Sequence, residues 1–157
     1  MRLDRVPVAE AGVAQFLPSY FRMKGSSANA RRILVVDDES LVCHTVTILL
    51  KVDGHTVTTA SSGEQALSLF EPGKFDLVVT DYAMPSMTGS ELAAAIKSRA
   101  PEQPVVLLTA YAERLRGQPQ ALSHVDFIIE KPLSIESIRR AINSFALVPK
   151  PAAASQS

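Results

Sequence analysis

The chain has one cysteine, Cys43, so it can form no internal disulfide and carries no sign of an oxidising compartment. It has no excess charge of either sign: sixteen Lys and Arg face sixteen Asp and Glu, so nothing global steers it to nucleic acid or to an anionic membrane. Long apolar runs are missing too. The longest, such as residues 33–36 and 105–108, are far short of the ~20 residues that a membrane helix needs. The first residues, with Arg2, Asp4, Arg5, Pro7 and Glu10, contain no apolar stretch ahead of a cleavage-like site. No Gly-rich loop follows the first apolar run, so no nucleotide site is indicated. The expectation is a soluble, cytoplasmic protein with no membrane insertion and no direct contact with nucleic acid.

What is present is an ordinary globular composition, 157 residues with 46% hydrophobic and 20% charged. Full-length disorder, collagen and a coiled-coil rod are excluded, and a core can form without a disulfide or zinc staple. Residues 1–30 differ from the rest. Val6, Val8, Val13, Phe16, Leu17, Tyr20 and Phe21 are scattered among Pro7, Gly12 and Pro18 without a sustained period, and residues 24–30 read as a flexible linker. This segment is expected to be a disordered extension, with Met23 as an alternative start. A short docking arm built on Phe16, Tyr20 and Phe21 is the rival reading. Residues 31–147 form the expected domain, and 148–157 a plain tail.

Within the domain, apolar strands alternate with helical patterns. Residues 33–36 form a continuous apolar run, as in a strand covered on both faces. Residues 40–51 carry Val42, Val46, Leu49 and Leu50 at helical spacing and stop at Asp53-Gly54. Further strands are expected over 55–59, 75–80, 105–109 and 125–129. Ser62 to Gln65 reads as a capping box for one helix, and Thr88 to Glu91 as the cap of another. The fourth helix is interrupted by Gly117 and Pro119 and should be short, bent or split. The last runs over 134–147 with Ile135, Ile138, Ile142 and Phe145 facing inward. Five strands alternating with helices predict a doubly wound α/β fold, a parallel sheet with helices on both faces. Ligands in such folds sit beyond the carboxyl ends of the strands.

The first strand ends in Asp37-Asp38-Glu39, the third in Thr80-Asp81, the fourth in Thr109-Ala110, and the fifth in Glu130-Lys131-Pro132. Three carboxylates meeting on one rim repel each other unless a cation sits among them. Magnesium suits such a set of hard oxygen ligands, and Lys131 adds a fixed positive charge. A nucleophilic carboxylate inside an anion receptor is what phosphoryl transfer to aspartate needs.

These residues resemble the receiver domain of two-component response regulators, in a stand-alone form like that of the chemotaxis regulators. The matching pieces are Ile33-Leu-Val-Val-Asp37-Asp38-Glu39, Asp81-Tyr-Ala-Met84-Pro85-Ser-Met-Thr-Gly89, Leu107-Leu-Thr109-Ala110-Tyr111 and Lys131-Pro132-Leu133, in order over residues 32–147. The resemblance implies the flavodoxin-like (βα)5 fold with strand order 2-1-3-4-5. It implies that Asp81 is the phosphoacceptor, taking its phosphoryl group from a phosphohistidine on a sensor histidine kinase or histidine phosphotransferase. Asp38 and Asp81 would then ligate Mg2+ directly, Asp37 largely through water, and Ala83 through its backbone carbonyl. Lys131 would pair with phosphoryl oxygens, with a cis bond to Pro132. Thr109 would be the switch hydroxyl, reshaping a face of helix four, strand five and helix five that a downstream protein reads. Such a protein is a bacterial signalling phosphoprotein and not an enzyme beyond its own phosphorylation and dephosphorylation.

Single residues also have plainer readings. Asp38 alone reads as a helix N-cap, Thr109 as a strand residue, Cys43 as a small core residue, and His44, His55 and His124 as incidental. Two departures from the family pattern stand out. Ile128 occupies the place of a switching aromatic, with Phe127 on the opposite pleat, which leaves Tyr111 to take part of the gating. Ala83 offers no polar group to a hydrolytic water, so a long-lived phosphorylated form is expected. Two other functions compete: a receiver-like domain that binds partners without phosphorylation, and an aspartyl-phosphate Mg2+ phosphatase. The phosphatase would place its nucleophile on the first strand in an Asp-x-Asp arrangement, which is absent here.

Overall fold

A computed structural model describes residues 29–145. Residues 1–28 of the expected 1–30 extension, with the alternative start at Met23, and residues 146–157, which include the expected tail over 148–157, lie outside the described residues. The strands are β1 (Arg32–Val36), β2 (Thr56–Ala60), β3 (Leu77–Asp81), β4 (Val105–Thr109) and β5 (Phe127–Glu130). The helices are α1 (Ser40–Val52), α2 (Gly63–Leu69), α3 (Gly89–Arg99), α4 (Ala112–Arg116) and α5 (Ile135–Asn143). All strand pairs are parallel and the order is β2-β1-β3-β4-β5, the flavodoxin-like arrangement.

The alternating pleat divides the core into two layers. Ile33, Val35, Val79, Val106, Leu108 and Ile129 meet Cys43, Val46 and Leu50 of α1 and Ile138, Ala141 and Ile142 of α5. Leu34, Val36, Val78 and Val105 meet Ala66 of α2 and Leu92, Ala93 and Ile96 of α3. β1, β3 and β4 therefore bury both faces, which is why their sequences read as unbroken apolar runs.

Local structure departs from the sequence expectations in five places. β2, β3 and β5 begin one or two residues later than the apolar pattern suggested. For β3 and β5 the cause is Asp76 and Asp126, each of which turns back onto a neighbouring strand. Asp76 donates its N–H to the Arg32 carbonyl at 2.7 Å, and its carboxylate accepts the Arg32 N–H at 2.8 Å. Asp126 treats Val105 the same way, at 2.8 Å in both directions. The capping box at α2 is only half formed. Ser62 Oγ accepts the Gln65 N–H at 3.0 Å, but Gln65 Oε1 takes the N–H of Ser61 at 2.7 Å. At α3 the Thr88 and Glu91 box is complete. α5 stops at Asn143, with the last turn closed by Ser144 onto the carbonyls of Arg140 and Ala141. α4 is short as expected: Gly117 closes it onto the Arg114 carbonyl, and a 3-10 turn over Pro119–Leu122 completes the crossover.

Candidate functional site

α1 leaves β1 on one face of the sheet, while α2 and α3 pack on the other. A crevice therefore opens beyond the carboxyl ends of the adjacent strands β1 and β3. Asp37 and Asp38 follow β1, Asp81 is the last residue of β3, Thr109 the last of β4, and Lys131 follows β5 by one residue. Four chain segments that are distant in sequence thus deliver their polar ends to one rim.

Asp37 and Asp81 are buried and Asp38 is exposed. Asp37 Oδ1 accepts the Glu39 N–H at 2.9 Å, which fixes the carboxyl plane. Asp38 is not the helix cap: that position belongs to Glu39, with no side-chain hydrogen bond. Lys131 Nζ donates to Asp81 Oδ1 at 2.8 Å and lies 3.7 Å from Asp37 Oδ2. Burial pushes the Asp37 carboxyl up to about 6, with the charges of Asp81 and Asp38 adding to it against the Glu39 N–H and Lys131. Burial also raises Asp81, against the hydrogen bond and charge of Lys131. Burial alone would lower the Lys131 ammonium, yet its hydrogen bond to Asp81 and the surrounding carboxylates leave it raised.

The donor set fits a hard divalent cation. One oxygen from each of Asp37, Asp38 and Asp81 lies within 4.8 Å of the others. Asp37 Oδ2 is buried without a hydrogen-bond partner, a costly state that a cation relieves.

The remaining candidates lie around this centre. Thr109 is buried, and its Oγ1 accepts the Tyr111 N–H at 2.8 Å, so the hydroxyl is held by its own loop. Lys131 donates its N–H to the Thr109 carbonyl at 2.9 Å, which ties the two strand ends together. The Lys131-Pro132 bond is cis. Ala83 is exposed on the loop after β3. Tyr111 is exposed, with the Arg114 guanidinium 5.2 Å from its ring centroid. Ile128 lines an open cleft of about 350 Å³ with Leu122, Val125 and Phe127, and Phe127 also packs against the α1 and α5 layer.

The sequence reading missed what keeps the rim in register. Gly89 is one such element. A Cβ there would overlap the Asp81 backbone carbonyl and crowd the Leu107 side chain, so only glycine lets α3 approach the end of β3 this closely. The Gly89 N–H also donates to the Tyr82 carbonyl at 2.9 Å. Gly89 was visible in the sequence as the end of the motif that starts at Asp81 and within a capping box, but neither signal shows these contacts.

Comparison with known proteins agrees with this geometry. The family model described as response regulator receiver domain matches residues 33–143. The chemotaxis protein CheY of Pseudomonas aeruginosa is 35% identical over 114 residues, covering 71% of this chain and 92% of that protein. The aerobic respiration control sensor ArcB of Escherichia coli is 32% identical over 120 residues, covering 74% of this chain. The chain spans only 15% of the length of that sensor. Among solved structures, the response regulator TrrA of Thermotoga maritima, in complex with Mg2+ and BeF, is 31% identical with a TM-score of 0.67 and covers 73% of this chain and 97% of its own. The chain belongs to the response regulator receiver domain family of bacterial two-component systems.

Proposed function

We propose that this receiver accepts a phosphoryl group on Asp81 from a phosphohistidine carried by a sensor histidine kinase or histidine phosphotransferase. The observation that carries the reading is the convergence of a buried carboxylate, a lysine hydrogen-bonded to it, and two further carboxylates at the carboxyl ends of adjacent strands. Asp37, Asp38 and Asp81, with the Ala83 carbonyl, would hold Mg2+, which when bound neutralises the carboxylates and the incoming phosphoryl oxygens. Asp81 Oδ1 is the nucleophile. Lys131 orients it and then pairs with phosphoryl oxygens, leaving Asp81 as its partner in the acceptor state. The Thr109 hydroxyl exchanges the Tyr111 N–H for a phosphoryl oxygen. That exchange moves the loop into α4 and alters the α4, β5 and α5 surface for a downstream protein.

Further parts of the reading stand beside this. The receiver is taken as residues 31–147, flanked by an extension and a tail. It works in the cytoplasm and catalyses only its own phosphorylation and dephosphorylation. Ala83 presents no polar group to a hydrolytic water and Tyr111 flanks the same approach, which supports a long-lived phosphoryl form.

Intact-mass measurement after incubation with acetyl phosphate tests the proposal. One added phosphoryl group, dependent on Mg2+ and lost in Asp81→Ala, is the expected result. No adduct from acetyl phosphate or from a phosphohistidine donor would leave a phosphorylation-independent interaction domain. Steady turnover of small phosphate esters would point instead to a phosphatase.

A further inference from the structure

Arg31 stands just before β1 and is only 8% exposed, so its guanidinium is withdrawn from water. Nη2 donates to the Phe145 carbonyl at 2.7 Å, and the backbone N–H donates to His55 Nδ1 at 3.1 Å. Nε and Nη1 have no acceptor among the described residues, and no carboxylate there pairs with Arg31. The carboxylates close by are already held. Asp53 accepts Arg139 Nε and Nη2, each at 2.7 Å, and Asp76 is clasped by Arg32 at 2.9 and 3.1 Å. Burial pushes the Arg31 guanidinium down, with the charge of Asp76 opposing it. A guanidinium does not shed its proton in a protein, so a buried one needs acceptors.

Arg31 lines a cavity of about 110 Å³ whose wall includes Asn29, Asp53, His55, Arg139 and Asn143. Two guanidiniums face one carboxylate there, an excess of one positive charge. α1 and α5 both end at this place, and their partial negative charge offsets part of that excess. The carbonyls of Leu50, Lys51, Arg140, Ala141 and Ile142 nevertheless accept backbone N–H groups, not the free N–H groups of Arg31. We propose that the cavity binds a small tetrahedral oxoanion, such as phosphate or sulfate, on the Arg31 guanidinium. The planar fork of Nε and Nη1 matches two oxygens of such an anion. The amides of Asn29 and Asn143 border the same space from two chain segments. The volume exceeds what one water needs and falls below that of a nucleotide or cofactor pocket, which selects a free ion or a single phosphorylated side chain. The cavity lies at the starts of β1 and β2, the opposite end of the sheet from Asp81, and does not depend on the phosphoacceptor reading. A bound anion would join the start of β1 to the end of α5 and stabilise the fold by mass action.

Thermal unfolding of the full chain in EDTA, with inorganic phosphate replacing chloride at constant ionic strength, tests this. The midpoint should rise by about 3 °C or more at about 10 mM phosphate, as mass action gives for a dissociation constant of about 1 mM. Arg31→Met should abolish the rise. Asn143→Asp, at an exposed position that leaves the core intact, brings a carboxylate to the cavity from the chain itself and should abolish it too. This second variant decides the matter if Arg31→Met does not fold. Asp81→Ala should leave the rise unchanged. No rise beyond that in chloride, or a rise that persists in either cavity variant, overturns the proposal. So does a rise that Asp81→Ala removes, which would seat the anion at the acidic rim. A rise equalled by acetate would assign the fork to carboxylates and overturn the oxoanion. An equal rise with O-phosphoserine supports the site and assigns it to a phosphorylated side chain, whereas a rise with phosphate alone assigns it to the free ion. None of these readouts involves phosphorylation, so failure here is distinct from failure of Asp81 as acceptor.

Discussion

Lys131 donates a hydrogen bond to Asp81 at 2.8 Å although fifty residues separate them in the chain. The same ammonium lies 3.7 Å from Asp37, so one cation serves two buried carboxylates delivered by different strands. Removing it should hinder the approach of a phosphoryl group more than it disturbs the fold. Lys131→Met is expected to slow phosphoryl uptake from acetyl phosphate by about tenfold or more, the equivalent of one lost charge-assisted hydrogen bond. Time-resolved intact mass at saturating Mg2+ would check this, and an unchanged rate would remove Lys131 from the proposed chemistry.

Asp37 makes the metal-free protein sensitive to pH. Its carboxyl is raised to about 6 in the folded protein against 3.8 as the ordinary value. A raised acid favours folding below its unfolded value, and that contribution is lost as pH rises through the folded one. The acidic rim should therefore weaken the fold by roughly 3 kcal/mol between about pH 4 and pH 7 in the absence of metal. Asp37→Asn keeps the Oδ1 acceptor for Glu39 and abolishes the titration. In EDTA its thermal midpoint should exceed that of the parent at pH 7.5 and match it near pH 4. Equal midpoints at both pH values would contradict the assignment.

The strand ends were legible because a parallel sheet buried on both faces leaves continuous apolar runs, and the polar residues that stop those runs gather on one rim. Asp37, Asp38, Asp81, Thr109 and Lys131 all declare themselves in this way. The helix capped by Thr88 and the interruption of α4 by Gly117 and Pro119 were equally readable, since both depend on local backbone chemistry. Long-range pairings were not. Nothing within a few residues of Asp53 announces its bidentate contact with Arg139, at 2.7 Å to each oxygen across 86 residues. The Asp76 and Asp126 turns were read as strand because Phe75 and Val125 are apolar and β-favouring, and propensity does not see the neighbouring strand.

Ser86 stores a small local strain next to the site. It is exposed, with φ of 71°, in the left-handed region that β-carbons disfavour. Ser86→Asn should stabilise the protein by about 0.5 kcal/mol, and Ser86→Val should destabilise it by about 1–2 kcal/mol. Chemical denaturation of the two variants gives the comparison. The reverse order would mean that the Ser86 side chain contributes a contact outweighing its backbone.

On the proposed reading, Ala83 and Tyr111 would set how long the phosphoryl group persists. Ala83→Asn combined with Tyr111→Glu should shorten its lifetime several-fold, read as the decay of the phosphorylated mass after donor removal. An unchanged decay in the double variant would sink the idea that these two positions guard the aspartyl phosphate.

The clasps made by Asp76 on Arg32 and by Asp126 on Val105 lie at the strand starts, opposite the acidic rim. They bind β3 to β1 and β5 to β4 in pairs. A slip of one residue in either pair would reverse every side chain of the shifted strand through the sheet. Asp81 would then leave Asp37, or Lys131 would leave Asp81, while most of the apolar content of the strands stayed buried. These two aspartates act as alignment pins. They hold β3 against β1 and β5 against β4 in the register that brings Asp81 to Asp37 and Lys131 to Thr109, so the starts of the strands set the geometry of the rim at their opposite ends.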